Sequence, residues 1–192
     1  MIRAIIFDCF GVLTTDGWLP FKQKYFGHDE ALKQQATDSN KRVDAGLANY
    51  NDFIHEMAEL AHITPAQARA QIEDNVADDE LFAYIRDQLK PRYKIGLLSN
   101  AGANWLGQLF SPDQAALFDA VCLSCDSGFV KPDPRAYQSV VARLGVQPEE
   151  CVFIDDQERY CAAAADAGLR AIVFKNSAQC RSDLEALLAT QA

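Results

Sequence analysis

The pattern of apolar and polar positions changes character twice along the chain. It opens on Ile5-Ile6-Phe7, an unbroken apolar run of the kind that fills a strand covered on both faces, and breaks at the carboxylate of Asp8. Gly11 follows three residues later, so Asp8 is predicted at the carboxyl end of a buried strand. From about Thr15 to Lys90 the strand signal fades, and apolar residues recur at helical spacing. Trp18, Phe21, Tyr25 and Phe26 begin this stretch, and Phe53, Ile54, Met57, Leu60 and Ala61 continue it. Thr64-Pro65-Ala66-Gln67 reads as a capping box with proline at the first helical position. Leu81, Phe82, Ile85 and Leu89 stripe a further helix that Pro91 ends.

From Tyr93 onward strand and helix patterns alternate. Tyr93 to Leu98, Ala120 to Ser124, Cys151 to Ile154 and Ala171 to Phe174 predict strands, with helices between them and a last helix near Asp183 to Ala189. Such alternation implies a parallel sheet with right-handed crossovers. The expected fold is α/β: a Rossmann-like, parallel five-stranded sheet with helices on both faces and an inserted helical cap. Residues 1–14 and 91–192 are expected to form the α/β core domain, and residues 15–90 the helical cap and return helix.

Composition narrows the function classes. The chain has 192 residues, 49% of them hydrophobic, enough for one core plus a smaller appendage. A formal net charge of -9 with scattered basic residues argues against a nucleic-acid surface or an anionic membrane face. With no apolar run of membrane-spanning length and no signal-peptide pattern at the N-terminus, a soluble, cytoplasmic protein is expected. Cys122 and Cys125 form a C-x-x-C, but it lies in an apolar stretch without a second ligand pair, so buried packing is expected. His28, His55 and His62 share no metal-ligand spacing, and no pattern sets an oligomeric state.

Polar residues suited to one reaction stand at four predicted strand ends. They are Asp8, then Ser99-Asn100, then Lys131 in Val130-Lys131-Pro132-Asp133-Pro134, then Asp155-Asp156. Each has an ordinary reading: Ser99-Asn100 and Asp155-Asp156 could cap the helices that follow, and Lys131 could be a solvated loop charge. Together at one sheet edge they suit phosphoryl transfer. A carboxylate can attack phosphorus once the phosphoryl charge is neutralised by a cation, a lysine and hydrogen-bond donors at a helix start. Mg2+ takes oxygen ligands, and carboxylates from two strand ends can supply part of its shell.

The order Asp8-x-x-Gly11-Val12-Leu13, Ser99-Asn100, Lys131-Pro132-Asp133-Pro134 with Tyr137, and Phe153-Ile154-Asp155-Asp156 resembles the four motifs of the haloacid dehalogenase (HAD) superfamily of hydrolases. The likeness spans nearly the whole chain, and the helical insertion resembles the family's small cap. It implies that Asp8 is the nucleophile and a Mg2+ ligand, that Ser99 and Asn100 contact the transferring group, and that Lys131 stabilises its charge. Asp156 would ligate Mg2+ directly, Asp155 would lie behind it or pair with Lys131, and Phe10 would offer its backbone carbonyl to the metal. The implied function is a Mg2+-dependent phosphatase acting on a small phosphorylated metabolite through an aspartyl-phosphate intermediate.

Phe10 departs from the family pattern. Phosphatases of this family usually carry a second aspartate there, which protonates the leaving oxygen and then activates water; a benzyl side chain does neither. Good leaving groups need that help least, and Asp16, Tyr25 and His28 are near enough in sequence to substitute. An aromatic residue at this place also resembles the metal-independent 2-haloacid dehalogenases, with Arg42 available for halide or carboxylate. Against that, Asp155-Asp156 without a cation would set extra negative charge beside an anionic substrate. A third alternative is a catalytically weak or inactive binding module, to which Tyr160 adds weight because the family often has Asn at its position.

Overall fold

Strand β1 (Ala4–Phe7) is buried along its whole length, as its unbroken apolar run requires. Alternation along the strand sends Ile5 and Phe7 to one side of the sheet and Ala4 and Ile6 to the other, where two separate apolar clusters receive them. The computed structural model describes residues 1–102 and 105–190. β1 pairs in parallel with β2 (Lys94–Ser99) and β4 (Cys151–Asp155); β3 (Ala120–Leu123) adds outside β2, and β5 (Arg170–Val173) outside β4. The order β3-β2-β1-β4-β5 gives the expected five-stranded parallel sheet.

Helices cover both faces. Residues of α5 (Asp79–Tyr84), of the π turn Ile85–Leu89 that continues it, and of α11 (Ser177–Ala189) join Ile5 and Phe7 in one cluster. On the other face α9 (Pro134–Leu144) and α10 (Glu158–Asp166) supply Tyr137, Val140, Leu144 and Ala164 to the cluster containing Ala4 and Ile6. The short helices α6 (Leu106–Leu109), α7 (Pro112–Ala115) and α8 (Ser124–Ser127) border the β2 and β3 strand ends.

Between β1 and α5 the chain forms α1 (Trp18–Phe26), α2 (Glu30–Asp44), α3 (Tyr50–Leu60) and α4 (Pro65–Ile72). Their apolar stripes converge on a third cluster that includes Phe21, Phe26, Val43, Phe53, Met57 and Ile72. The capping box at Thr64 and Gln67 is present, with Pro65 as the first helical residue. The two connections to the sheet run side by side: Thr15 N donates to Val76 O at 2.9 Å and Asp78 N to Leu13 O at 2.9 Å.

Strand ends differ from the sequence reading by one residue or so, because an apolar pattern marks burial rather than the ladder's last hydrogen bond. The last helix begins at Ser177, six residues before Asp183, because Asn176 caps it by accepting from Gln179 N at 2.9 Å. Cys122 is buried in β3 as expected, whereas Cys125 lies in α8 and is partly exposed; both thiols are free. No helix among the described residues is long and apolar enough to cross a membrane.

Candidate active site

Chain order explains where the site forms. The chain builds outward from β1 through β2 to β3, then crosses back to place β4 on the other side of β1. In such sheets the crossovers diverge at the carboxyl ends of the two central strands and leave a crevice there. Asp8 follows β1 and Asp155-Asp156 end β4, so the carboxylates meet at this crevice. Ligand oxygens of Asp8, Asp155 and Asp156 lie within 4.8 Å of one another.

Lys131 binds this group together. Its Nζ lies 2.8 Å from Asp8 Oδ1 and 2.6 Å from Asp155 Oδ2, and it is 2% exposed. The rings of Phe153 and Tyr160 flank the ammonium, with centroids 5.3 and 5.0 Å away. Burial works against the Lys131 charge, but the two carboxylates outweigh it and hold its pKa above the usual range. Asn100 fixes the lysine's backbone: its Nδ2 donates to Lys131 O at 3.1 Å, and its Oδ1 accepts from Lys131 N at 2.8 Å. The Asn100 side chain therefore positions Lys131. Ser99 Oγ faces the same cavity and lies 3.4 Å from the Asn100 carbonyl, a long bond easily exchanged for an anionic oxygen.

The remaining carboxylate atoms divide unequally. Asp8 Oδ1 also accepts from Cys9 N at 2.7 Å, and Asp155 Oδ1 accepts from Gln157 N at 2.8 Å, so Asp155 both pairs with the lysine and caps the entry to α10. Asp156 Oδ1 is buried with no hydrogen-bond partner among the described residues. Burial pushes the Asp8 carboxyl up to about 8 against the pull of Lys131, with Asp155 adding repulsion; burial and Asp155 push Asp156 up to about 6. One lysine does not neutralise three clustered carboxylates, and an all-oxygen donor set with an orphaned anionic atom fits a hard divalent cation. Gly11 keeps the approach open. It sits at φ +82°, and a Cβ there would lie 2.9 Å from the Asp156 carboxylate.

A cavity of about 970 Å³ lies between this cluster and the helices α1 to α4. Asp8, Phe10, Ser99, Asn100 and Lys131 line its floor, and Trp18, Tyr50 and Phe53 enter from the helical side. The Phe10 ring packs edge-on against Trp105 at 5.2 Å, and Tyr50 lies 5.4 Å beyond, so Phe10 belongs to an aromatic wall. Of the three residues near enough in sequence to stand in for an acid, Asp16 lines the cavity, with Oδ1 accepting from Trp18 N at 2.8 Å. Tyr25 bonds Gln71 and His28 is exposed; neither lines it. Arg42 is also exposed and outside the cavity lining. Trp105, Arg159 and Asp44 line the cavity without having been singled out by the sequence. None stands at a strand end or in a motif, so no local signal marks them.

The fold and this carboxylate–lysine crevice define an α/β protein with a covered acidic site. A family model for haloacid dehalogenase-like hydrolases matches residues 2–168, and the chain belongs to that family. It is 29% identical over 205 residues to the phosphatase MT3486 of Mycobacterium tuberculosis, covering 94% of this chain and 90% of that one. The likeness to mouse acyl-CoA dehydrogenase family member 10 is 39% over 82 residues, 43% of this chain, and spans only 8% of that much longer protein. Among solved structures, a HAD-like family hydrolase of Porphyromonas gingivalis superposes with a TM-score of 0.70 at 26% identity, covering 96% of this chain and 98% of that one. The Bacteroides thetaiotaomicron HAD family enzyme bt-2542, solved with magnesium and inorganic phosphate, superposes at 0.69 with 23% identity, covering 91% and 95%. The latter likeness is one of fold.

Proposed function

We propose that this hydrolase is a Mg2+-dependent phosphatase that acts on a small phosphorylated metabolite through a phosphorylated Asp8, with residues 15–90 as the helical cap, formed by α1 to α4, and the return helix. The orphaned, buried Oδ1 of Asp156 beside Asp8 and Asp155 carries this reading, because a charged oxygen left without a partner is costly unless a cation meets it. Asp8, Asp156 and the Phe10 carbonyl would hold the ion. When bound, Mg2+ supplies charge neutralisation for the phosphoryl oxygens and for the carboxylates themselves.

The chain's own residues do the rest. Lys131 and Cys9 N hold Asp8 Oδ1, which leaves the other carboxylate oxygen to attack phosphorus. Lys131 spreads positive charge over the transferring group, Ser99 Oγ donates to one of its oxygens, and Asn100 keeps the lysine in register. Asp155 holds Lys131 from behind and keeps it charged. A cavity near 970 Å³ accepts a metabolite-sized ester, and its aromatic wall offers apolar contact to the ester's organic part. The magnesium and phosphate in bt-2542 and the phosphatase name of MT3486 support the same chemistry. Arg42, which the dehalogenase alternative would use for halide or carboxylate, is exposed and outside the cavity lining.

Assays with p-nitrophenyl phosphate, acetyl phosphate and glycerol phosphate, with Mg2+ and with EDTA, test the reading. Turnover is expected only with Mg2+ and is expected to vanish in Asp8→Asn. Metal-independent halide release from 2-chloropropionate would overturn it.

A further inference from the structure

Asp44 ends α2, on the helical side of the cavity whose floor carries Asp8 and Lys131. Three contacts clamp this helix end to the catalytic edge of the sheet. Ser124 Oγ donates to Asp44 O at 2.5 Å, and the same hydroxyl accepts from Ala101 N at 2.9 Å, directly after Ser99-Asn100. The Val43 side chain packs so closely on Gly102 that a Cβ at Gly102 would fall 2.0 Å from Val43 Cγ1. The carboxyl itself accepts one bond, from Asn40 Nδ2 to Oδ2 at 2.9 Å, among the described residues. We infer that Asp44 is the general acid and base of this hydrolase, taking over from the cap the task that Phe10 leaves undone. The inference rests on the phosphatase reading.

The step balances as follows. Asp8 forms an O–P bond as the ester P–O bond breaks, and the departing oxygen takes the electron pair and the proton of the Asp44 carboxylic acid. The resulting Asp44 carboxylate removes a proton from water as that oxygen attacks phosphorus, and the Asp8–phosphorus bond breaks with its pair returning to Asp8. Phosphate leaves and Asp44 is again protonated, so one water is consumed and no other reagent is needed.

The surroundings suit a group that must hold and release a proton near neutrality. Burial pushes the Asp44 carboxyl up to about 7; Lys131 and the Asn40 bond oppose the rise, and Asp16 reinforces it. The charged groups that share the cavity with it are Asp8, Asp16 and Lys131 from the sheet edge and its connections, Lys22 from α1, Lys41 from α2, Glu73 from the end of α4 and Arg159 from α10. Asp16 is the poorer candidate, because its Oδ1 is taken by the backbone amides of Trp18 and Leu19 that it caps.

Dependence on the leaving group tests this. Values of kcat/KM for glycerol phosphate, phenyl phosphate and p-nitrophenyl phosphate, each with Mg2+, should fall unequally in Asp44→Asn. The expected loss is about 10²- to 10⁴-fold for the alkyl ester and under about tenfold for p-nitrophenyl phosphate, whose leaving group needs no proton. Retained p-nitrophenyl phosphate turnover also certifies that the variant folds. Asp44→Glu should recover part of the alkyl activity, and Phe10→Asp placed in the Asp44→Asn background should restore it. Equal loss on all three esters, or no loss, overturns the role of Asp44 while leaving the phosphatase reading standing. Absence of turnover by the unmutated protein overturns both.

Discussion

Lys131 is an ammonium buried between two buried carboxylates, an arrangement whose energy depends on every member remaining in place. Desolvating such ions costs several kcal/mol each, so removing the cation strands two anions rather than erasing a bond. Lys131→Met is expected to abolish turnover and to cost about 3–5 kcal/mol of stability near neutral pH, read by urea unfolding in EDTA. Stability equal to that of the unmutated protein would count against the pairing. Asp8, Ser99 and the Asp155-Asp156 pair were legible because each follows or interrupts an apolar run where a strand stops, whereas Lys131, expected at a strand end, lies in the turn beyond α8, since that short helix intervenes after β3. Asp44 was not legible. Its carboxyl is raised by burial in the cavity wall and by Asp16 against the pull of Lys131, and those neighbours come from chain segments far apart in sequence. Asn100 was found, but nothing in its sequence setting announces that its amide is engaged by the Lys131 backbone.

The turn after β1 does two jobs within a few residues. Cys9 O accepts from Leu13 N at 2.8 Å and Thr14 N at 3.0 Å, which folds Phe10 and Gly11 over the β4 end, and the chain then leaves alongside Ala77 and Asp78. Gly11 at φ +82° is the residue this turn cannot exchange, since an L side chain there is strained and would also press on Asp156. Gly11→Ala is therefore expected to lose about 1–2 kcal/mol in denaturant unfolding and to weaken Mg2+ binding measured by calorimetry. Unchanged Mg2+ affinity would show that Asp156 does not take the ion beside Gly11. At this scale the strands and the amphipathic helices were readable, because double coverage writes itself as Ile, Val, Leu and Phe runs and single coverage as helical stripes. The short helices α6, α7 and α8 were not, since four-residue elements carry too little periodicity to separate from loop.

Taken as one body, the protein carries a formal net charge of -9 and gathers several of its carboxylates into one covered space. Asp8, Asp44 and Asp156 are pushed up from an ordinary 3.8 to about 8, 7 and 6, chiefly by burial. In metal-free protein these three groups bind more protons folded than unfolded between about pH 4 and pH 8, so their contribution to stability falls as pH rises through that window. A divalent cation reverses the cost for the groups it touches, because it binds the deprotonated carboxylates and displaces their protons. Excess Mg2+ should therefore raise the Tm more at about pH 8 than at about pH 5, relative to EDTA at each pH. Asp44→Asn should flatten only the part of the metal-free slope below about pH 7 and leave the Mg2+ increment at pH 8 intact, because Asp44 is not among the carboxylates that cluster with Asp156. A Mg2+ increment independent of pH would mean that the ion binds elsewhere than among these acids.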